Sequence, residues 1–231
     1  MIQHTLETPA GEISDEALVA SVPRVFSPFR HLFEEGPFHR PNRYPSLVCR
    51  GQVMDCYLVC QGNDGLYLVD QHAAHERIRL DCLLYLADGP GLARQSLLAP
   101  YRVRLPPEQM AALDDPSLLG DLGFDVEPFG TGEALVRAVP AVLGRQEDPE
   151  GISDILGSLL SGRGHEGREE ALKMMSCRGA IKAGDPLRPR EMRALLLALR
   201  RVRDPWHCAH GRPTTLRMTP AELEKAFRRR V

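Results

Sequence analysis

The sequence predicts an α+β fold, and three patterns support this prediction. Residues 51–69 are typical of a β-hairpin, because an alternating apolar segment, the turn sequence Gly-Asn-Asp-Gly and a second apolar segment follow one another. Residues 189–202 carry apolar side chains at helical spacing. Residues 101–142 alternate between strand-like and helix-like segments, as an α+β lobe requires.

The amino-acid composition indicates a globular protein. The 231 residues are 43% hydrophobic and 26% charged, which is typical of a globular chain with two lobes or two small domains. We expect no membrane contact, because no apolar run approaches the ~20 residues that span a bilayer. The N-terminus lacks a basic segment followed by an apolar core, so we expect no signal peptide and a cytoplasmic protein. Six cysteines without a CxxC pair favour metal binding or burial over disulfides.

Charge is distributed unevenly along the chain. The net charge is -2, which argues against indiscriminate nucleic-acid binding. From residue 168 to the end, however, 16 Lys and Arg face 7 Asp and Glu, and most of the basic residues are arginines. Arginine suits bidentate contacts with phosphate. A solvated helix face or an arginine-rich genome would produce the same pattern, so charge alone leaves DNA contact open.

The first segments of the chain are predicted in order. Residues 1–41 contain scattered acids and prolines without sustained periodicity, and we expect a linker or an extended arm. Within this arm the aromatic cluster at 26–33 could dock on a core. The hairpin follows, and its second strand, residues 66–69, runs directly into a polar segment with helical composition.

This polar segment carries candidate metal ligands. Asp70 lies at the junction, where its carboxylate can cap a helix or face a metal. His72 and Glu76 are four residues apart, so they share one helix face, whereas Asp81 is turned away from it. A cap, a surface histidine and half of a helix ion pair would explain the same residues. The helix should end at the Asp-Gly-Pro sequence of residues 88–90.

The middle of the chain predicts a small inserted lobe. Residues 95–100 should be extended and accessible, because the proline at their end discourages a helix. Next we expect a strand at 101–105, a helix at 106–123, and strands at 124–129 and 134–142.

Two more candidate ligand segments follow a Gly-rich tract. A helix closed by Gly184 carries Cys177, which could equally be a packed core cysteine. After the amphipathic helix at 189–202, Cys208 and His210 would project to the same side of an extended segment. A last helix is expected at 220–230.

The candidate ligands form a mixed set. Thiolate and imidazole groups favour zinc, and carboxylates also accommodate manganese or magnesium. A structural zinc site more often uses only Cys and His, so the acids suggest an open site that activates water. The set consists of Asp70, His72, Glu76, Cys177, Cys208 and His210.

Three segments together carry a family resemblance. The sequences DQHAAHERIRLD, SCRGAIKAGD and CAHGRP resemble the three signature motifs of the C-terminal domain of MutL-family DNA mismatch-repair proteins, in the branch with a metal-dependent latent nicking endonuclease. The resemblance covers residues 43–231. It implies that the six candidate ligands surround the metals and that Asp70 and Glu76 are the catalytic carboxylates. It further implies regulatory zinc, and manganese or magnesium for nicking.

The resemblance also assigns roles outside the metal set. The family's peptide that binds the replicative sliding clamp is similar to residues 95–100; an ordinary loop before a strand is the alternative. This peptide contributes Gln95, Leu97, Leu98 and Pro100. Arg212 could orient a ligand or contact phosphate. Asp81 stands where the family has Glu, which leaves its role as a metal-supporting residue or DNA contact in doubt; Ser176 and Ala209 are further departures.

A two-part architecture is implied in the same way. Residues 42–80 and 168–231 would form a dimerisation subdomain that carries the metal site, and residues 81–167 an external regulatory subdomain. Residues 1–41 would come from the interdomain linker. No Gly-rich nucleotide loop occurs, so we expect no ATP site.

The implied partners are a second copy of the chain, duplex DNA, the sliding clamp and, through the full-length protein, a mismatch-recognition protein. A nuclease-inactive dimerisation scaffold with structural zinc is the alternative. A metal-regulated transcription factor is weaker, since no helix-turn-helix pattern occurs.

Overall fold

The computed structural model describes residues 23–27, 29–34, 36–113, 119–143, 149–162 and 165–229. Helices and two antiparallel sheets are mixed along the chain, which confirms the predicted α+β class. The helices are α1 (Pro23–Phe26), α2 (Arg30–Glu34), α3 (Gln71–Ala87), α4 (Pro107–Ala112), α5 (Pro149–Ser161), α6 (His165–Arg178), α7 (Pro189–Leu199) and α8 (Pro220–Ala226). The strands are β1 (Val48–Val53), β2 (Tyr57–Gly62), β3 (Gly65–Asp70), β4 (Arg94–Arg104), β5 (Asp125–Pro128), β6 (Glu133–Pro140) and β7 (Thr215–Met218).

The first sheet has the order β1-β2-β3-β7. The predicted hairpin is confirmed as β2 and β3, with Gly62 paired to Gly65 across the turn. The alternating pattern of residues 51–60, however, predicts a single strand, and this prediction is wrong. The chain instead turns at Met54 and Asp55, whose φ angles are 54° and 47°. Left-handed residues at a hairpin turn are usually Gly or Asn, so this turn had no sequence signal.

Strand β7 was not predicted either. It pairs with β3, with Thr215 opposite Val69, and so brings the C-terminal part of the chain against the hairpin. Four residues with one apolar alternation are too few for periodicity to reveal a strand.

Helix α3 is the central element of the fold. The side chain of Asp70 accepts a hydrogen bond from the Ala73 N–H at 2.9 Å and caps the helix, and Asp88 follows its end. Both predicted boundaries are therefore confirmed. Of its 17 residues 13 are buried, because α6 and α7 pack on it from different sides.

The second sheet has the order β4-β6-β5 and lies within the predicted insertion. Residues 94–104 form one strand, with a register irregularity between Ser96 and Tyr101. The extended conformation expected at 95–100 is therefore confirmed, and the strand expected at 101–105 begins earlier, at Arg94. Helix α4 is shorter than the helix expected at 106–123, and residues 114–118 of that prediction lie outside the described residues. The subdomain boundary at residue 81 stays a prediction, since α3 passes it without a break.

The N-terminal segment differs from the extended arm that we expected. Helices α1 and α2 lie in this segment, and the aromatic side chains of Phe26, Phe29, Phe33 and Phe38 are buried in the common core. Phe33 contacts Phe26 and Phe38, with ring centroids 5.0 and 5.5 Å away. The expected docking of the aromatic cluster is thus confirmed; residues 1–22 lie outside the described part.

The C-terminal helices are close to their predictions. Helix α7 ends at Leu199 and α8 at Ala226, a few residues earlier than expected. The expected closure of α6 by Gly184 is wrong, since this helix ends at Arg178 and residues 179–184 form the loop that follows it. Helix α5 was missed, because Gly and Ser interrupt its apolar pattern. Within the described residues, none of the helices has the length and apolarity to cross a membrane.

A buried arginine connects several of these elements. Arg79 donates hydrogen bonds to the carbonyls of Ser176 (3.2 Å) and Val142 (3.0 Å), and its guanidinium lies 5.5 Å from the ring centroid of Phe29. A Cβ atom at Gly179 would overlap this guanidinium. Glycine is therefore required where α6 ends beside α3.

The first prediction concerns this contact. We expect Gly179→Ala to lower the free energy of unfolding by about 1–3 kcal/mol, because the methyl group must displace a buried arginine. Gly120→Ala is the matched control, since no atom of the described residues, other than its chain neighbours, lies within 4 Å of a Cβ there; it should be neutral or slightly stabilising. Urea denaturation measures both. Equal stabilities of the two variants would contradict the packing role of Gly179.

Candidate metal centre

The centre begins at the first turns of α3. The Nε2 atom of His72 lies 3.2 Å from Oε1 of Glu76, as their spacing of four residues predicts. The Nδ1 atom of His72 lies 2.8 Å from the Ile181 carbonyl oxygen. If Nδ1 carries the proton and donates it to this carbonyl, the lone pair of Nε2 is directed toward Glu76. Histidine ligands are commonly oriented by such a bond.

A tight turn supplies the second part of the centre. Cys208 donates its N–H to the Arg212 carbonyl at 2.8 Å, and Gly211, with φ 77°, donates to the Cys208 carbonyl at 3.1 Å. Cys208 and His210 therefore lie in a turn and not in the extended segment that we expected. The backbone of His210 also donates to Sγ of Cys208 at 3.3 Å, so the two residues form one compact unit.

The separated segments converge on one point. Ligand atoms of Glu76, Cys208 and His210 all lie within 4.8 Å of one another. Nδ1 of His210 is 3.7 Å from Oε2 of Glu76, and Sγ of Cys177 is 3.7 Å from Nε2 of His210. With His72, five of the six predicted ligands thus form a continuous cluster.

Asp70 is the exception among the predicted ligands. It does not belong to the three-residue group, and its Oδ1 atom caps α3 through the Ala73 N–H. The cap interpretation of Asp70 is therefore confirmed, and its role at a metal stays a prediction.

The cluster is chemically suited to a divalent cation. Glu76 and Cys208 are buried, with 5% and 1% of their surface exposed. Burial, followed by hydrogen bonding to Glu76, raises the pKa of the Cys177 thiol to about 12. A Cys177 thiolate would be repelled by the nearby Glu76 carboxylate, and a bound cation would relieve this repulsion. One carboxylate, one or two sulfurs and imidazole nitrogens fit zinc, and the carboxylate also accommodates manganese or magnesium.

The ion pair between Arg77 and Asp81 supports the turn that contains Cys208 and His210. The Arg77 guanidinium donates to the backbone carbonyls of His207 and Cys208, the latter at 2.7 Å. It also donates to Oδ1 of Asp81 at 3.1 Å. The other oxygen of Asp81 accepts the Arg203 N–H at 2.7 Å. Asp81 is therefore turned away from the ligand face, as its position predicts. Arg77 is a functional residue that was not predicted, although its spacing of four residues from Asp81 signals a helix ion pair.

Gln71 fixes the loop that follows α6. Its side chain is fully buried, and the amide nitrogen donates to three backbone carbonyls. These belong to Asp55, Lys182 and Asp185. The Gln71 oxygen accepts from Gln52 at 2.6 Å. This loop also carries the carbonyl that orients His72, so Gln71 acts on the centre indirectly.

His75, one turn after Gln71 on the same face of α3, holds the same loop. Its Nδ1 atom accepts the Ile181 N–H at 2.8 Å, and Nε2 lies 3.2 Å from the Val25 carbonyl oxygen. Burial, followed by the charge of Arg79, lowers the pKa of His75 to about 3. His75 is therefore neutral and structural, which its position in a motif rich in candidate ligands did not reveal.

The remaining candidate residues lie outside the cluster. Arg212 is exposed at the turn. Leu98, on β4 of the second sheet, is fully exposed, whereas Leu97 packs partly against the core. Gln95 is partly buried and Pro100 exposed.

A family model describes the core of this arrangement. The model of the MutL C-terminal dimerisation domain matches residues 50–187. The chain belongs to this family. The match includes α3 and Cys177, and the turn with Cys208 and His210 follows it.

Relatives within the MutL family support this result. The DNA mismatch repair protein MutL of Methanoculleus marisnigri is 42% identical over 193 residues, which cover 81% of this chain and 33% of the relative. The MutL protein of Methanothrix thermoacetophila is 44% identical over 190 residues, covering 80% and 34%. That of Heliobacterium modesticaldum is 45% identical over 184 residues, covering 78% and 28%. The chain thus spans about a third of the length of these relatives.

The second prediction tests the support of the turn. We expect Arg77→Met to weaken zinc binding about 10–100-fold, because the turn loses two backbone contacts although every ligand remains. Arg137→Met is the control, since it removes an exposed ion pair with Glu127 and should leave zinc affinity unchanged. Competition with a chromophoric chelator gives the affinity, and circular dichroism checks folding. Unchanged affinity in folded Arg77→Met would contradict the role of Arg77.

Proposed function

We propose that this domain is a metal-dependent endonuclease of DNA mismatch repair that nicks one strand of duplex DNA. The observation that carries the proposal is the convergence of Glu76, Cys208 and His210, with His72 and Cys177 in contact with them. Four-ligand structural sites of Cys and His do not need a buried carboxylate. The proposal also rests on membership of the MutL family.

Each candidate ligand has a proposed role in holding the metal ion or in catalysis. Glu76, Cys208 and His210 hold the ion, with His72 and Cys177 as additional ligands, and Asp70 contributes the oxygen that does not cap α3. A bound divalent ion supplies Lewis-acid activation of water and neutralises charge on a DNA phosphate. We assign zinc to regulation or structure, and manganese or magnesium to nicking. Asp70 and Glu76 are the proposed catalytic carboxylates.

DNA would be held by the basic C-terminal part of the chain. The excess of arginine after residue 168 gives backbone affinity without sequence preference, and this affinity should fall steeply with salt. Arg212 is the proposed phosphate contact nearest to the metal ligands, because it lies in the turn with Cys208 and His210.

We further propose that the domain forms a homodimer through the outer face of the first sheet. On this face Val59, Leu68 and Leu216 are cross-strand neighbours, and Leu66 is opposite Met218. Leu216 is 60% exposed and Met218 37%. Contiguous exposed apolar side chains on a sheet are typical of an interface between proteins.

The remaining partners are the replicative sliding clamp, at Gln95, Leu97, Leu98 and Pro100, and a mismatch-recognition protein that contacts the full-length protein. In the proposed architecture residues 81–167 form the external regulatory subdomain, and the interdomain linker is the part of residues 1–41 that precedes α1. We assign no ATP site to this domain.

A nuclease-inactive dimerisation scaffold is the second candidate. The position of Asp70 favours it, because Asp70 caps α3 and lies outside the three-residue ligand group. Both candidates require bound zinc and a dimer, so only cleavage distinguishes them.

The third prediction is therefore a nicking experiment. With manganese and the sliding clamp, the protein should nick supercoiled plasmid. Asp70→Asn and Glu76→Gln should each reduce the rate on the order of 100-fold or more, because each removes a charge that acts at the reacting phosphate. Asp121→Asn, an exposed acid in the inserted lobe, is the control. A zinc-loaded dimer that never nicks would favour the scaffold.

The fourth prediction concerns the clamp. Leu98→Ala should weaken binding to the clamp at least about tenfold, since an exposed leucine is the natural anchor of such a peptide. Stability and clamp-independent nicking should not change, because Leu98 packs on nothing. Met54→Ala removes another exposed apolar side chain and serves as control. Surface plasmon resonance measures the affinities, and equal values for both variants would contradict the assignment.

A further inference from the structure

Two cysteines outside the metal centre face each other in the first sheet. Cys49 on β1 and Cys60 on β2 are direct cross-strand partners. Both thiols are free. Cys60 and Leu58 are fully buried on the inner face of β2, so the cysteine pair lies on the face that α7 covers. Sγ of Cys49 is 3.6 Å from the sulfur of Met192 on that helix.

The backbone geometry permits a bond between the two sulfurs. Directly opposed residues of an antiparallel pair have Cα atoms about 4.5–5.5 Å apart, which lies within the range of about 4.4–6.8 Å found in disulfides. The register irregularity between Cys49 and Gly51 lies beside the pair. Because β1 is an edge strand, the backbone there can adjust without moving the rest of the sheet.

The two thiols differ in reactivity. Cys49 is partly exposed, and hydrogen bonding to Cys60 lowers the pKa of Cys49 to about 7. The same contact and burial raise the pKa of Cys60. Thiolates are the reactive form of cysteine, so Cys49 is suited to attack an oxidant. Cys60 keeps its proton until Cys49 has reacted, and its position directly opposite Cys49 makes it the resolving thiol.

We propose that Cys49 and Cys60 form a reversible dithiol–disulfide site that reacts with peroxides. The Cys49 thiolate attacks one peroxide oxygen, the O–O bond breaks, and hydroxide leaves, which gives a sulfenic acid. The Cys60 thiol then attacks the Cys49 sulfur; the S–O bond breaks, the S–S bond forms, and water leaves with the Cys60 proton. Two electrons pass from two thiols to one peroxide.

A Cys49–Cys60 disulfide would stabilise the strand whose side chains support the candidate metal centre. Gln52, three residues after Cys49 on β1, donates to Gln71 at 2.6 Å and accepts the Leu187 N–H at 2.9 Å. Linking β1 to β2 therefore secures the strand that holds Gln71 and the loop beyond α6. This inference does not depend on the nuclease proposal, since the cysteine pair shares no residue with the ligand cluster.

Peptide mapping tests the site. Trypsin releases Cys49 in the peptide 44–50, whereas the peptide 51–77 contains Cys56 and Cys60. We would treat the Cys56→Ser protein with one equivalent of hydrogen peroxide. The two peptides should then appear joined, lighter than their sum by the mass of two hydrogen atoms, and dithiothreitol should separate them. In Cys60→Ser, Cys49 should instead be trapped by dimedone as a sulfenic acid.

A stability measurement supplies an independent readout. The oxidised Cys56→Ser protein should unfold at a higher temperature than its reduced form, and a variant that also carries Cys49→Ser should show no such difference. The proposal is overturned if the joined peptides form in the unmodified chain but not in Cys56→Ser, because Cys56 would then be the partner. It is equally overturned if Cys49 of Cys56→Ser is oxidised without becoming joined to 51–77.

Discussion

The packing of this fold around α3 depends on one constraint: buried polar side chains must find hydrogen-bond partners. Helix α3 buries a glutamine, a histidine, an arginine and an aspartate, and each is satisfied by groups from distant segments. Among the described residues, no buried side-chain nitrogen or oxygen lacks a hydrogen-bond partner. An unsatisfied buried group costs about 1–3 kcal/mol, so these bonds restrict how α6, the loop beyond it and the C-terminal turn can pack on α3.

The same bonds position the candidate metal centre. Gln71 and His75 hold the loop that contacts His72, and Arg77 with Asp81 holds the turn that contains Cys208 and His210. Candidate ligands from three segments are thus brought together by residues outside the candidate set. In this chain the three motifs combine candidate ligands with residues that position them, and Asp81 is one of the positioning residues.

The sequence predicted correctly those features that depend only on residues a few positions apart. The cap at Asp70, the shared face of His72 and Glu76, and the end of α3 follow from helix geometry. Elements without a local signal were missed: the glycine-free turn at Met54, the four-residue strand β7, and α5 with its interrupted apolar pattern. The turn at Cys208 was misjudged as extended, because its closing bonds involve backbone groups that no composition reveals.

The sequence by itself therefore determined the α+β class, the central hairpin and helix, and, through three motifs, the family and its candidate ligands. Only the tertiary structure decided which of these candidate ligands meet, that Asp70 lies outside the group of Glu76, Cys208 and His210, and that Cys49 faces Cys60. The physical reason is that periodicity and capping act within a few residues, whereas convergence depends on strand register and on bonds between segments more than 100 residues apart, such as those from Arg77 to the turn at Cys208.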